Sequence, residues 1–430
     1  MSKQHEYVLR TVSERGIRFI RLWFTDILGQ LKSFAITPAE LEAALEEGAR
    51  FDGSAIDGFS RDKEADMLAR PDPTTFQILP WRPDGGVARM FCDVETPDGQ
   101  PFPGDPRGVL KRNLSRAHDL GYAFYVGPEV EFFYFRDSGP EPQVLDRGGY
   151  FDLTPLDVAQ EYRRATIMAL ERLGIPVASS HHEVSPSQHE LNLRHTDALT
   201  MADSLMTTRL AVKEVAMEHG IYATFMPKPL EGYDGSGLHL HLSLFLSDEN
   251  AFYEQGAEHG LSKVGRGFIA GLLRHGREIT AVTNQWVNSY KRLVTGFDAP
   301  VFETWGRTDQ SAVVRIPITK PDKASSTRIE YRAPDPACNP YLAFSVILAA
   351  GLAGIENAYD LPAEGGSASG AHRLPSTLSD ALDALEQSEL ARTALGDHVF
   401  EWFLRDKRRE WDRYAGHVSQ FELDRYLAVL

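Results

Sequence analysis

Glu129 and Glu131, separated by one residue in Gly127-Pro-Glu-Val-Glu-Phe-Phe133, are the first groups in this chain whose spacing suggests chemistry. On a strand they share one face while Val130 and Phe132 take the other. Like charges so placed repel unless a cation lies between them; a solvated acidic edge strand is the plainer alternative. The theme returns in His181-His-Glu-Val-Ser-Pro-Ser-Gln-His-Glu190. A hairpin turning about Pro186 would set Glu183 opposite Glu190, within contact range, and a second cation would relieve that repulsion. In Gly235-Ser-Gly-Leu-His-Leu-His-Leu-Ser-Leu-Phe245 strict alternation places His239, His241 and Ser243 on one face and Leu238, Leu240 and Leu242 on the other. The glycines ahead of it, Gly235 among them, would let a backbone approach a ligand closely.

Two further segments are basic. Asn288-Ser-Tyr-Lys-Arg-Leu-Val-Thr-Gly-Phe-Asp298 offers Lys291 and Arg292 before a glycine-containing loop, and Thr327-Arg-Ile-Glu-Tyr-Arg-Ala-Pro-Asp335 alternates Arg328, Glu330 and Arg332. Arginine suits bidentate capture of carboxylate or phosphate. Singly, each basic segment is explained by surface salt bridges. Together, carboxylates with a histidine suit Mg²⁺ or Mn²⁺, and several arginines suit a phosphoryl group and a substrate carboxylate. Five such segments on strands of one domain would form a metal–nucleotide site.

The elements that must position them alternate along the chain. A helix is expected over 4–14, a strand over 16–24, and a helix from Pro38 with Thr37 as its N-cap. Strands follow near 75–79 and 88–93. The Pro/Gly-rich stretch Thr96–Pro106 marks a domain boundary, giving units 1–104 and 105–430. Beyond it come helix 107–120, strands within 122–135, helix 156–173, hairpin 177–193, helix 198–219, strand 238–245 and helix 261–283. The apolar run 341–355 is a buried helix and the tail from Thr377 is helical. Glu364–Gly370 is a low-complexity surface loop. The class is α+β.

Composition narrows the function classes. With 430 residues, 42% hydrophobic and 25% charged, the chain can build a sizeable core. A formal net charge of −16 argues against a nucleic-acid partner. No signal-like N-terminus and no run of about 18 apolar residues is found, so a soluble cytoplasmic protein without membrane association is expected. Its two cysteines, Cys92 and Cys338, lack metal-ligand spacing.

Eight segments in order resemble the motifs of bacterial type I glutamine synthetases: Phe51-Asp-Gly-Ser-Ala-Ile-Asp-Gly-Phe59, Gly127-Pro-Glu-Val-Glu-Phe, His181-His-Glu-Val, Gln188-His-Glu, Phe225-Met-Pro-Lys-Pro, Gly235-Ser-Gly-Leu-His-Leu-His, Asn288-Ser-Tyr-Lys-Arg-Leu and Arg328-Ile-Glu-Tyr-Arg-Ala-Pro-Asp-Pro. The resemblance runs from about residue 15 to the C-terminus. It implies a small N-terminal β-grasp domain and a large C-terminal catalytic domain whose antiparallel strands form a funnel flanked by helices. It also implies a dodecamer of two hexameric rings with active sites between subunits, ATP, and two Mg²⁺ or Mn²⁺ per site. Carried over by position, Glu131, Glu183 and Glu190 would hold one metal, and Glu129, His239 and Glu330 the nucleotide-bound one. His241, Ser243 and Arg328 match nucleotide contacts. Arg292, Arg332 and Gly235 match substrate-binding positions, Arg315 lies near the transferred phosphate, and Asp52 and Tyr150 match the ammonium pocket. The implied reaction activates the γ-carboxylate of glutamate as an acyl phosphate, which an amine or ammonia then displaces.

The chain departs from that pattern where the amine should sit. Asp298 replaces the usual flap Glu, Ala55 replaces a serine, Gln310 replaces an arginine, and Asp234 replaces an asparagine. More room and more negative charge point to a cationic organic amine, a polyamine or small alkylamine, as acceptor. An ordinary glutamine synthetase using ammonia is the alternative; a catalytically degenerate nucleotide- or glutamate-binding regulator is the second.

Overall fold

The computed structural model describes residues 2–56, 58, 66–82, 86–309, 311–318, 324–365 and 373–430. Gln310, Asp57, Phe59 and most of the 364–370 loop therefore lie outside the described residues.

The N-terminal unit is a six-stranded sheet with two helices on one face. Its elements are α1 (Lys3–Glu14), β1 (Phe19–Thr25), β2 (Leu31–Ile36), α2 (Leu41–Glu47), β3 (Ala49–Asp52), β4 (Asp66–Pro71), β5 (Gln77–Ile78) and β6 (Val87–Glu95). The strand order is β2-β1-β6-β4-β3, with β5 on β6, and only β1 and β6 run parallel. Alternation in β1 sends Ile20 and Leu22 toward Val8, Val12 and Leu41 of the helices, while Trp23 joins the larger core on the opposite face. A single turn of 3₁₀ helix at Pro38–Glu40 leads into α2, and the Thr37 side chain makes no capping bond, contrary to expectation. The strand expected at 75–79 is shortened to β5. Asp72 instead caps a 3₁₀ turn at Pro73–Thr75, bonding the Thr74 amide at 3.1 Å.

The larger unit begins with α3 (Pro106–Asp119), N-capped by Asp105. It continues with β7 (Tyr122–Phe135), α4 (Gln160–Arg172), β8 (Val177–His182), β9 (Gln188–Leu193), β10 (Thr196–Asp197), α5 (Ala198–Glu218), β11 (Tyr222–Thr224), β12 (Leu238–Leu246) and β13 (Glu249–Asn250). Then follow α6 (Lys263–Thr283), α7 (Ser289–Arg292), β14 (Phe302–Gly306), β15 (Ala312–Arg315), β16 (Ile329–Tyr331) and α8 (Pro340–Glu356). The tail forms α9 (Leu378–Glu386), α10 (Glu389–Leu395), α11 (Asp397–Ala415) and α12 (Gln420–Tyr426). A curled sheet runs β14-β15-β16-β12-β7-β9-β8, with β10 and β11 on β7 and β13 on β12. All its pairings are antiparallel except β14–β15. Apolar α8 is buried along most of its length, as its composition demanded.

Three expectations are corrected. The helix expected from Leu156 starts at Gln160, because Leu153–Asp157 closes a tight turn. There Asp157 accepts from the Ala159 amide and is held by Arg163 at 2.7 Å. The basic segment at Asn288 is not a strand: Ser289–Arg292 makes one helical turn. In the β8–β9 hairpin, Glu190 faces His181, and the Glu183 amide bonds the Gln188 carbonyl. The register is thus two residues from that expected. A shift of two preserves which face each side chain occupies, so both carboxylates still reach the same side.

Candidate active site

Strand β7 carries the centre of the site. Glu129 is opposite His239 of β12 on one side and Asn192 of β9 on the other; Glu131 is opposite Glu190. Leu238, Leu240 and Leu242 are fully buried behind β12, which leaves His239, His241 and Ser243 to face the site as alternation required. On β16, Ile329 and Tyr331 likewise anchor in the core and turn Glu330 and Arg332 to the same side.

Glu129, His239 and Glu330 form one group: His239 Nδ1 lies 3.5 Å from Glu129 and 3.8 Å from Glu330. Glu131 and Glu190 form a second group with the other nitrogen of His239, which lies 3.9 Å from Glu131. Glu183 joins Glu190 through His181, whose Nε2 is 2.6 Å from Glu183 and 3.8 Å from Glu190. His181, within the motif His181-His-Glu-Val, carries no role in the expectations from sequence. Its alternation with Glu183, two residues on, is the signal that would have found it. Gln188 was also missed: its amide donates to Glu131 at 2.9 Å and to the Gly235 carbonyl at 3.1 Å.

The electrostatics follow from this crowding. Burial, then the charge of Glu183, pushes Glu131 well above the carboxylate range. Burial, then the charge of Glu131, does the same to Glu190. Burial also pushes Glu129 upward, but the hydrogen bonds of His239 and His241 outweigh it and hold it below its ordinary value. The buried Nε2 of His239 has no hydrogen-bond partner among the described residues. Converging carboxylates and an unpartnered imidazole nitrogen are a donor set for hard divalent cations, so the residues fit such ions.

Basic groups close the other side. Arg315 bonds Glu330 at 2.6 Å, and Arg332 lies 3.4 Å from Glu330 while donating to Asp298 at 2.9 Å. Arg328 Nε bonds His241 Nδ1 at 3.2 Å, and His241 Nε2 contacts Glu129 at 2.8 Å. Arg292 is 1% exposed and donates to the backbone carbonyls of Arg332, Ala333 and Pro334. The glycines ahead of β12 serve packing within the chain. A Cβ on Gly237 would fall 2.6 Å from Arg292 Nη2 and 2.9 Å from His239 Nε2, and one on Gly235 would collide with the Pro227 carbonyl.

At the rim, the Asp298 amide bonds Asp234 at 2.8 Å. Tyr150 is exposed, with its ring 5.4 Å from His181 and 4.1 Å from Phe151. Burial, then the charges of Glu183, Glu190, Glu129 and Asp298, raises its phenol. Asp52 stands apart at the end of β3, exposed and bonded to the Ser54 amide. No hydrogen bond or ion pair among the described residues ties it to the carboxylate cluster.

Residues 103–426 match the family described as glutamine synthetase, catalytic domain, and residues 16–97 match glutamine synthetase, β-grasp domain. The chain belongs to the glutamine synthetase family. Its six-stranded N-terminal sheet is thus the β-grasp domain and its curled sheet the core of the catalytic domain. A glutamine synthetase of Mycolicibacterium smegmatis is 53% identical over the full length of both chains, and one of Mycobacterium tuberculosis matches equally. A glutamine synthetase of Thermotoga maritima is 47% identical, with 98% of this chain and 99% of that protein covered. Among solved structures, GmaS in complex with ADP superposes with a TM-score of 0.89 at 34% identity, covering 98% of this chain and 99% of that one. The protein is an ATP-dependent glutamate ligase of the glutamine synthetase type that forms a C–N bond with hydrolysis of ATP to ADP and phosphate. The family uses divalent metals and small-molecule substrates. No helix among the described residues is long and apolar enough to cross a membrane.

Proposed function

We propose that this ligase transfers the γ-glutamyl group to a cationic organic amine, a polyamine or small alkylamine. The observation that carries it is the rim: the ring of exposed Tyr150 lies 5.4 Å from that of His181, which bonds Glu183 at 2.6 Å, and Asp234 holds the Asp298 loop. An aromatic face beside carboxylates binds an alkylammonium by cation–π attraction and charge, whereas ammonium has no alkyl body to bury.

In the proposed mechanism the γ-carboxylate of glutamate attacks the γ-phosphorus of ATP, and ADP leaves. Arg332 and Arg292 orient the substrate carboxylates, and Arg315 sits by the transferred phosphoryl group. His241, Ser243 and Arg328 contact the nucleotide, and Gly235 lies along the substrate path. Glu131, Glu183 and Glu190 would hold one divalent cation and Glu129, His239 and Glu330 another. Bound cations offset phosphoryl charge and bring the nucleotide into line. Asp298 closes over the acyl phosphate and excludes water. The amine, deprotonated by a carboxylate, then attacks the acyl carbon and phosphate departs. Exposed Asp52, with no hydrogen bond or ion pair to its own cluster among the described residues, fits a role in the site of a neighbouring copy in a dodecamer of two hexameric rings. Units 1–104 and 105–430 would be the domains of that assembly, in the cytoplasm.

A second reading keeps ammonia as the acceptor, favoured by the 53% identical relatives named glutamine synthetase. Phosphate release with ATP, Mg²⁺ and glutamate decides between them, measured across ammonia, methylamine, ethanolamine, putrescine and spermine with product masses. An organic amine is expected to exceed ammonia in kcat/KM by about ten-fold or more, equivalent to about 1.4 kcal/mol. Highest turnover with ammonia overturns the proposal.

A further inference from the structure

Between the β1–β2 turn, α5 and α11 lies a cavity of about 740 Å³ whose lining includes none of the residues assigned to the reaction. It is bounded by the β1–β2 turn at Gln30, by α5, by the segment after β11, by α7 and by the end of α11. That volume is within the range of small-molecule sites. Its walls are aromatic and apolar: Phe225, Met226, Trp286, Tyr414 and Met206.

Three cations line it, Arg209 and Lys213 from α5 and Lys291 from α7. Lys213 Nζ lies 5.9 Å from the Phe225 ring and Lys291 Nζ 5.6 Å from the Tyr414 ring, so both ammonium groups sit against aromatic walls. Arg209 donates to the Cys338 carbonyl at 2.7 Å, and its buried Nε has no hydrogen-bond partner among the described residues. The one lining carboxylate, Glu410, is already held by Lys407 at 2.8 Å and accepts from the Val287 amide. Among the described residues no ion pair neutralises Arg209, Lys213 or Lys291. Burial and the charge of Arg209 both depress the Lys213 ammonium, the strain of unpaired positive charge that an anion would relieve.

We infer that this cavity binds a planar aromatic carboxylate and couples its binding to the glutamate site. A bare inorganic anion would leave the aromatic walls unfilled, and a neutral apolar molecule would leave three cations unpaired. The route of coupling is short. Lys291 directly precedes Arg292, whose guanidinium holds the Ala333 and Pro334 carbonyls, and Pro336 and Ala337 return to line the cavity. Drawing Lys291 toward an anion therefore pulls on the turn that seats Arg292. The binding half of the inference is independent of the proposed acceptor. The coupling half rests on Arg292 acting at the glutamate carboxylate.

The test is calorimetric titration of the full-length protein with indole-3-acetate, indole and acetate as probes. Indole-3-acetate is expected to saturate one site per chain, at least about ten-fold tighter than either control. Lys213→Met should weaken it about ten-fold while leaving amine-dependent phosphate release without probe unchanged. Met226→Trp, which fills the cavity, should abolish it. Indole-3-acetate should shift the KM for glutamate several-fold with a smaller change in kcat. No saturable binding at millimolar probe, equal affinity for indole, or binding unaffected by both variants overturns the site. An unchanged KM with intact binding overturns the coupling.

Discussion

Replacing Gly237 by alanine adds one methyl group at the point where three site residues converge. The new Cβ would lie 2.6 Å from Arg292 Nη2, 2.9 Å from His239 Nε2 and 3.2 Å from Glu131 Oε1. Ordinary contact begins near 3.4 Å, so Arg292 would have to retreat by about 0.8 Å and His239 by about 0.5 Å. Arg292 has nowhere to go: it is 1% exposed and its two terminal nitrogens are committed to three backbone carbonyls. The displacement therefore passes to His239 and to Glu131, which also accepts the Gly237 amide at 2.9 Å. A misplacement of about 1 Å in a preorganised site costs about 10²-fold in rate, or about 2.7 kcal/mol. Overpacking of this kind costs about 1–3 kcal/mol of stability. Steady-state phosphate release gives kcat and KM, and thermal unfolding reports the fold. The expected result is a kcat/KM about 10²-fold lower with Tm reduced by a few degrees. Gly235→Ala is the contrast, because its Cβ meets the Pro227 carbonyl, so stability should fall more than the catalytic constants of the molecules that still fold. A Gly237→Ala enzyme within about three-fold of the parent kcat/KM would refute the packing described for this corner.

Two other outcomes test the framework. Burial raises Glu303 to about 7, although it accepts from the Arg277 amide. Between its unfolded value near 4.5 and its folded value near 7 the native state holds a proton that the unfolded state has lost, so stability falls as pH rises through that window and levels off above it. Glu303→Gln keeps the acceptor and removes the titration; after allowance for residual solvent it should be more stable by about 1–2 kcal/mol at pH 8 and no different below pH about 4.5, by urea unfolding. Equal stability at pH 8 would show that Glu303 ionises freely. Buried Arg107 ties the two units together, bonding Asp72 and Asp93 at 2.7 Å and Asp203 at 3.0 Å. Arg107→Met strands those carboxylates and should cost about 3–5 kcal/mol; a loss under about 1 kcal/mol in the same assay would rule out that network as a clamp.

Much of the site was legible because strands alternate. Once Leu238, Leu240 and Leu242 are assigned to a core, His239, His241 and Ser243 must share the other face, and the same parity links Glu129 with Glu131 and Glu330 with Arg332. The ordered motifs added the family, the fold class and the expected ligands. Local pattern did less well where side chains outside the element decide its limits. Asp157, pinned by Arg163, delays α4, and Asp72 turns the chain at Pro73 where a strand was expected. Hairpin register also escaped, since any shift of two satisfies the same alternation, so the placement of His181 opposite Glu190 emerged only with the pairing. Long-range proximity is what tertiary structure alone decided. It set Gly237 against Arg292 and His239, joined Asp234 to Asp298, and enclosed Lys213 and Lys291 in one aromatic cavity. Sequence specifies which face a side chain takes through the period of its own element; which distant faces meet depends on how whole elements pack, and no local period encodes that.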